Sequence, residues 1–507
     1  MGLIAASAAA AVALVAGGRT RAVAMLVALA LAPVVVAGDV WDTARFVDLR
    51  ESPGHVAALA IAALAAIGIV ASMLRRWPDA LPVLAFAALA FRVPVDLGGD
   101  DANLLVPLYA VIAGGALAVS SEAWRKQGDD RAPVPTLSGE WLELAVRWLP
   151  WLLGGFLVLY AVQSAYSDDF SRAVENVCFF FVPFAVLFTL LVRARWTPRI
   201  LVGVLAVAVG EALLFALVAF GQFAVGEVFW NPEVIAANEV HTYFRVNSLF
   251  WDPNILGRYL MLVMLALSAY MVWAREARRA WAAGGACAVL LVAIALTFSQ
   301  SSLVALLAGL LALAAMRWGA RWAIVGIAAA ALAGGVLLAA SGADLNSIKS
   351  LDIRSSGRAS LVRGGLELAG DRPLAGYGSG SFQVEFQRRF PEDAVGTGAI
   401  SHTEPVTVAA EQGIVGIAPY LLLLAAAVGA LLAVPARIPV ARSALVACFA
   451  GLVVHSLAYA GLLIDPVTWA LVATGLALAR HPVAAVSPAP ARDRVQPTPP
   501  RPAPAAG

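Results

Sequence analysis

His402 closes the longest polar stretch of the chain, in SHTEPVTVAAEQGIVG, and the sequence after it turns apolar as IVGIAPYLLLLAAAVGALLAV. An imidazole titrates near pH ~6.5 when unperturbed. A histidine at a water–lipid boundary therefore supplies a base that reaches both a soluble acceptor and a lipid headgroup. Two arginines stand in comparable places: Arg245 in TYFRVNSLFWDPNILGRYL, just ahead of an apolar run, and Arg358 in GRASLVRGGLELAG. Guanidinium meets phosphate oxygens through paired N–H donors, so a phosphate ligand suits both. Arg354 and Arg363 compete with Arg358 for that role. The bland alternatives are a snorkelling Arg245, a surface Arg358 and an ordinary loop His402. His55, His241 and His481 have no such context, and His455, inside a span, reads as a helix–helix contact or an intramembrane functional group.

These residues need elements to hold them, and composition says what kind. The chain of 507 residues is 61% hydrophobic and only 13% charged, with mean hydropathy +0.82. Soluble domains carry about 25% charged residues, so lipid must solvate most of this one. Apolar runs long enough to cross a bilayer recur throughout. The expected fold is an all-α polytopic membrane protein with about 14 transmembrane helices and one extracytoplasmic helical loop domain; the runs at 3–18 and 79–91 are short. Cys178, Cys287 and Cys448 lie within apolar runs as small core residues. Net charge +2, with Lys and Arg scattered between spans, gives no sign of nucleic-acid binding.

Charge then orders the parts. Arg19 and Arg21, Arg75 and Arg76, Arg193 to Arg199, Arg275 to Arg279, Arg317 and Arg321, and Arg437 and Arg442 fall on one side, which the positive-inside rule makes cytoplasmic. The organisation expected is N-terminal spans 1–224, an aromatic outer loop 225–253, central spans 254–341, a long outer loop 342–412, C-terminal spans 413–480 and a Pro/Ala-rich disordered tail 481–507. In the long loop, GRASLVRGGLELAG reads as an amphipathic helix stopped at DRP. Gly376, Gly378 and Gly380 in GYGSGSF read as a turn that positions the loop more than as a phosphate cradle.

Three of these segments, in order, resemble the bacterial O-antigen ligases and related polymerases. TYFRVNSLFWDPNILGRYL is similar to that family's arginine followed by Asn-Pro-Asn. GRASLVRGGLELAGDRPLAGYGSGSF resembles its Gly-Arg helix and Pro-x-x-Gly-x-Gly turn. SHTEPVTVAAEQGIVG is similar to its histidine followed by Glu, Gly and Gly, here Glu411, Gly413 and Gly416. The similarity runs over roughly 240–430. Thr403 stands where the family usually has Asn, and Ser299 to Ser302 replace its Ser-Arg pair.

The resemblance implies a GT-C-like glycosyltransferase of the bacterial plasma (inner) membrane, working at its outer face. It would move a glycan from an undecaprenyl-pyrophosphate donor to a sugar hydroxyl on a glycan or lipid-linked acceptor. His402 would be the catalytic base, Arg245, Arg358 and Asn254 would bind substrate, and Glu411 and Arg363 would support them. No cofactor is implied. The loops lack His and carboxylates at metal-ligand spacing, so no metal is expected. Pyrophosphate is already a weakly basic leaving group, whereas an alcohol is a poor nucleophile and gains from a base. A transporter or flippase of lipid-linked sugars is the reading of another class. It would favour charged residues within spans and repeated halves, and here Glu211 is the one plain intramembrane carboxylate. A transferase using polyprenyl-monophosphate sugars would place paired acids in an early outer loop, as Asp39, Asp42, Asp100 and Asp101 allow.

Overall fold

The structure is a computed structural model that describes residues 1–43, 46–47, 51–96, 101–125, 139–229, 231–240, 242–340, 358–391 and 403–481. His402, Arg354, His241 and the tail from 482 lie outside the described residues. Among those described, 11 helices are long and apolar enough to cross a membrane. Four shorter apolar helices lie at Gly2–Val15, Pro78–Ala88, Ala320–Ala329 and Pro466–Arg480. The protein is thus a multi-pass helical membrane protein, and each apolar run of the sequence forms a helix. Fewer than the expected 14 reach full spanning length, and packing explains part of the difference. Pro466–Arg480 is buried along almost its whole length, so protein walls, not hydrocarbon thickness, set its extent.

Helix starts are written locally. Proline occupies the first turn at Pro53, Pro198, Pro253, Pro439 and Pro466, where its missing N–H costs nothing. Thr197, Asp252, Ser299 and Asp465 each cap a following helix through a side-chain oxygen. Arg75 and Arg76, Arg125, Arg193, Arg317 and Arg480 occupy last turns, where the helix dipole favours cations. Contacts between these ends gather them at one end of the bundle. Arg19 lies over the Trp124 ring at 5.2 Å and Arg317 over Trp273 at 4.6 Å. Arg480 donates to the Val146 carbonyl at 2.9 Å.

The opposite end carries the polar loops. One short departure from an all-α fold occurs there: Val93–Asp96 pairs antiparallel with Asp101–Leu104, Val93 opposite Leu104. Pro94 has no N–H to give a helix, and the flanking valines favour extended backbone. The aromatic loop 225–253 contains a helix, Pro232–Val240, started by Asn231, whose Oδ1 accepts from Glu233 N at 2.9 Å. In the long loop the expected amphipathic helix is present as Arg358–Asp371, followed by the glycine turn and a second helix, Phe382–Arg389. Leu361, Leu368, Phe382, Phe386 and Ala410 form a small core of their own beside the main one. The three cysteines are buried and unbridged.

Candidate active site

Arg245 is held by its backbone and by its head. Its N–H donates to Asn238 Oδ1 at 2.9 Å, and Asn238 Nδ2 donates back to the Arg245 carbonyl at 3.0 Å. The next turn is gripped by Gln222, whose Oε1 accepts from Asn247 N and Ser248 N at 3.2 and 2.7 Å. That grip sustains Ser248 at φ 52°, a conformation side chains seldom adopt unless the surroundings impose it. The guanidinium Nε donates to the Thr297 carbonyl at 2.9 Å and Nη2 to Asn254 Oδ1 at 3.4 Å. Asn254 is buried, so its side chain orients Arg245.

A buried polar network continues from there through the helix bundle. Ser299 N donates to Thr297 Oγ1 at 3.2 Å, and Ser299 Oγ lies 3.0 and 2.8 Å from Ser301 Oγ and Ser302 Oγ. Both of those hydroxyls lie 3.3 Å from His455 Nε2. Arg258, one turn beyond Asn254, donates from Nε to His455 Nδ1 at 3.2 Å, from Nη2 to the Tyr459 carbonyl at 3.2 Å, and pairs with Asp465 Oδ2 at 2.7 Å. An arginine N–H directed at Nδ1 matches the tautomer that carries its proton on Nε2, facing the serines. Gly257 makes the packing possible, because a Cβ there would stand 2.5 Å from Ser302 Oγ.

Sequence reasoning passed over Arg258 and Asp465, although a buried arginine in a span is a signal in itself. Arg92 was missed as well. Burial lowers the pKa of its guanidinium, Asp465 opposes that shift and Arg258 adds to it. Burial likewise pushes the Tyr459 phenol above its ordinary value, with Asp252 adding to the effect and Arg258, Arg92 and Arg245 pulling it back. Arg258 also lies over the Tyr459 ring, 5.4 Å from its centroid.

Glu411 does a different job. Its carboxylate, buried from solvent, accepts from Gly380 N at 2.9 Å and Phe382 N at 3.2 Å. Two residues on, Gly413 breaks the helix Glu404–Leu432 with φ 59° and ψ −158°. The glycine turn docks into that break. Ile414 N donates to the Pro373 carbonyl at 2.8 Å, and Gly378 N to the Glu411 carbonyl at 2.8 Å. A Cβ at Gly376 would lie 2.3 Å from the Glu411 carbonyl carbon, and one at Gly413 2.4 Å from that of Leu374. The glycines thus act as interlocking pieces, in line with the positioning turn expected of them.

The segment next to His402 is tied down. Thr403 Oγ1 donates to the Leu457 carbonyl at 2.9 Å. Glu404 accepts from Leu462 N at 2.9 Å and also from Gly461 N. The loop 457–465 is therefore a seam. Tyr459 and Asp465 join it to the arginines, while Gly461 and Ile464 line a cavity of about 140 Å³ shared with Arg172, Gln383, Glu404 and Glu411. Arg388 tethers the helix Phe382–Arg389 to the 167–175 segment through Asp168, and its guanidinium holds the Asp168 carboxyl below the usual range. The helix Arg358–Asp371 begins at Arg358. Arg363 stands exposed on it, paired with Glu367 at 2.9 Å.

Residues 285–421 match the family model described as O-antigen ligase. The chain carries an O-antigen ligase domain. No curated protein matches the chain. The matched interval takes in Thr297, the Ser299–Ser302 run, the helix opened by Arg358, the glycine turn and Glu411. Arg245, Asn254, Arg258, His455 and Asp465 fall outside it in sequence, yet Arg245 and His455 are hydrogen-bonded directly to residues within it. Hydrogen bonds thus tie the O-antigen ligase domain to the helices around it at the polar end of a multi-pass membrane protein.

Proposed function

We propose that this enzyme transfers a glycan from an undecaprenyl-pyrophosphate donor to a sugar hydroxyl at the outer face of the bacterial plasma membrane. The observation that carries the reading is the continuous buried network that joins Arg245 through Thr297, Ser299, Ser302 and His455 to Arg258, whose guanidinium lies 5.4 Å over the Tyr459 ring. The loop bearing that tyrosine also accepts a hydrogen bond from Thr403, the residue after His402. Arg258 is neutralised by Asp465, which makes it a positioning residue. Of Arg92, Arg245 and Arg258, the first two are then free to hold a pyrophosphate among the described residues, with Arg358 as a further ligand from its helix.

In the reaction, His402 takes the proton of the acceptor hydroxyl, and the oxygen attacks the anomeric carbon of the donor. The bond from that carbon to the pyrophosphate oxygen breaks, and its electron pair leaves on the phosphate, where the guanidiniums neutralise the growing charge. Arginine here fills the role that a divalent metal ion can fill beside a diphosphate leaving group. The cavity beside Arg172, Gln383 and Glu404 offers hydroxyl-binding groups to the acceptor sugar.

The test is Arg245→Lys in purified protein, with donor binding and transfer measured separately. A point charge cannot replace a two-pronged donor. Loss of a charge-assisted hydrogen bond costs roughly 1.5–3 kcal/mol, so transfer should fall on the order of tenfold to a hundredfold. Unchanged donor affinity and rate in a well-folded variant would remove Arg245 from the phosphate site.

A further inference from the structure

We propose a second lipid site at the other, arginine-rich end of the bundle, which seats the acyl chain of an anionic phospholipid. A groove of about 400 Å³ lies between the helices Pro198–Val225, Pro253–Trp273 and Pro439–Ser456. Its wall runs from Pro198 to Ala208 on the first helix and from Tyr270 to Tyr259 on the second. At 1.5 Å per residue each stretch is about 15 Å long, half of a ~30 Å hydrocarbon core.

The groove is hydrocarbon in character because most of its polar groups are already hydrogen-bonded within the protein. Tyr259 donates to Glu211 Oε2 at 2.6 Å, Thr474 to the Ala470 carbonyl at 2.7 Å, Trp196 Nε1 to the Leu191 carbonyl at 3.0 Å and Cys448 to the Leu262 carbonyl at 3.4 Å. A polar ligand would find no partner among these groups, whereas an alkyl chain loses nothing on entry.

The mouth supplies the opposite chemistry. Trp196 and Pro198 line it from one connection, Ile438 and Pro439 from another. Arg195 and Arg199 flank the first pair, Arg437 and Arg442 the second, and residues 194–201 and 433–444 contain no acid. Arg195, Arg199 and Arg437 are exposed. Arg442 donates to the Leu432 carbonyl at 2.9 Å, while its Nε is buried without a hydrogen-bond partner. A chain lying in the groove puts its phosphate among these guanidiniums, and basic pockets at helix ends bind anionic headgroups. The mouth does not serve the donor's own phosphate: a phosphate held here lies at the end of the bundle away from Arg245 and Thr403.

Native mass spectrometry of the full-length protein with phosphatidylglycerol and phosphatidylcholine of identical chains tests the site. The wild type should retain phosphatidylglycerol in preference to phosphatidylcholine. Arg195→Ala with Arg437→Ala should lose that preference, each arginine contributing roughly fivefold. Ala266→Phe, which fills the groove, should lose retention of both lipids. Equal retention of the two lipids by the wild type would overturn the proposal, as would undiminished preference in the double-alanine variant. Selective displacement of bound lipid by a glycan-free polyprenyl phosphate would assign the groove to the donor tail instead.

Discussion

Each arginine at the polar end is defined by what already neutralises it. Arg258 has a buried carboxylate at 2.7 Å and Arg363 an exposed one at 2.9 Å. Among the described residues, the Arg245 guanidinium meets neutral oxygens, from Thr297 and Asn254, so of these three it keeps its charge for a ligand. His402 is the residue on which proton transfer should depend. General-base catalysis contributes roughly 10²–10⁴-fold, so His402→Ala should lose at least a hundredfold in transfer while keeping donor affinity. The rate should rise with pH through the imidazole range near ~6.5, because only the neutral ring accepts a proton. A pH–rate profile that keeps this rise in the alanine variant would assign the base elsewhere. If arginines rather than a metal ion stabilise the leaving pyrophosphate, transfer should survive exhaustive chelation; loss restored by a divalent metal ion would contradict that.

At the scale of elements, the break at Gly413 and the turn 373–380 form a single joint. Backbone N–H groups from the turn end on Glu411, and N–H groups just past the break end on the turn. Glu411→Gln replaces one acceptor oxygen by an NH₂ group that faces an N–H donor. A buried donor left unsatisfied costs about 1–3 kcal/mol, so the melting temperature should drop while the pH–rate profile keeps its shape. A changed pH dependence at normal stability would instead make Glu411 part of the proton transfer. Gly413→Ala should be worse. The backbone strain alone costs about 1–3 kcal/mol, and the added methyl group would press on the Leu374 carbonyl carbon at 2.4 Å.

For the whole molecule, the network from Thr297 through His455 to Asp465 binds helices that are far apart in sequence. Removing one partner of a buried ion pair typically costs about 3–5 kcal/mol, whereas replacing both by apolar residues is often neutral. Asp465→Asn should therefore destabilise the detergent-solubilised protein strongly, and Arg258→Met with Asp465→Leu should recover much of the loss. If the double variant also regains transfer, the pair serves stability alone. If it is stable but inactive, the pair positions the site. Sidedness belongs to this scale too. Cysteines placed in 358–391 should react with membrane-impermeant thiol reagents in spheroplasts and those in 275–280 should not; the reverse pattern would invert the enzyme in its membrane.

The helices, their starts and the charge asymmetry of their ends were legible in the sequence, because hydrophobic length, proline position and terminal arginines act locally. So was the amphipathic helix of the long loop, stopped ahead of Pro373. The hairpin at 93–104 and the helix at 232–240 were not, since short elements have too little periodicity to register. Only the tertiary structure decided which polar residues meet. Asn254 turned to Arg245, Glu411 to the amides of the glycine turn, and Arg258 to an aspartate some two hundred residues away. No local pattern encodes such pairings. They follow from helices packed closely enough at Gly257 for serine, histidine and arginine to satisfy one another out of reach of water.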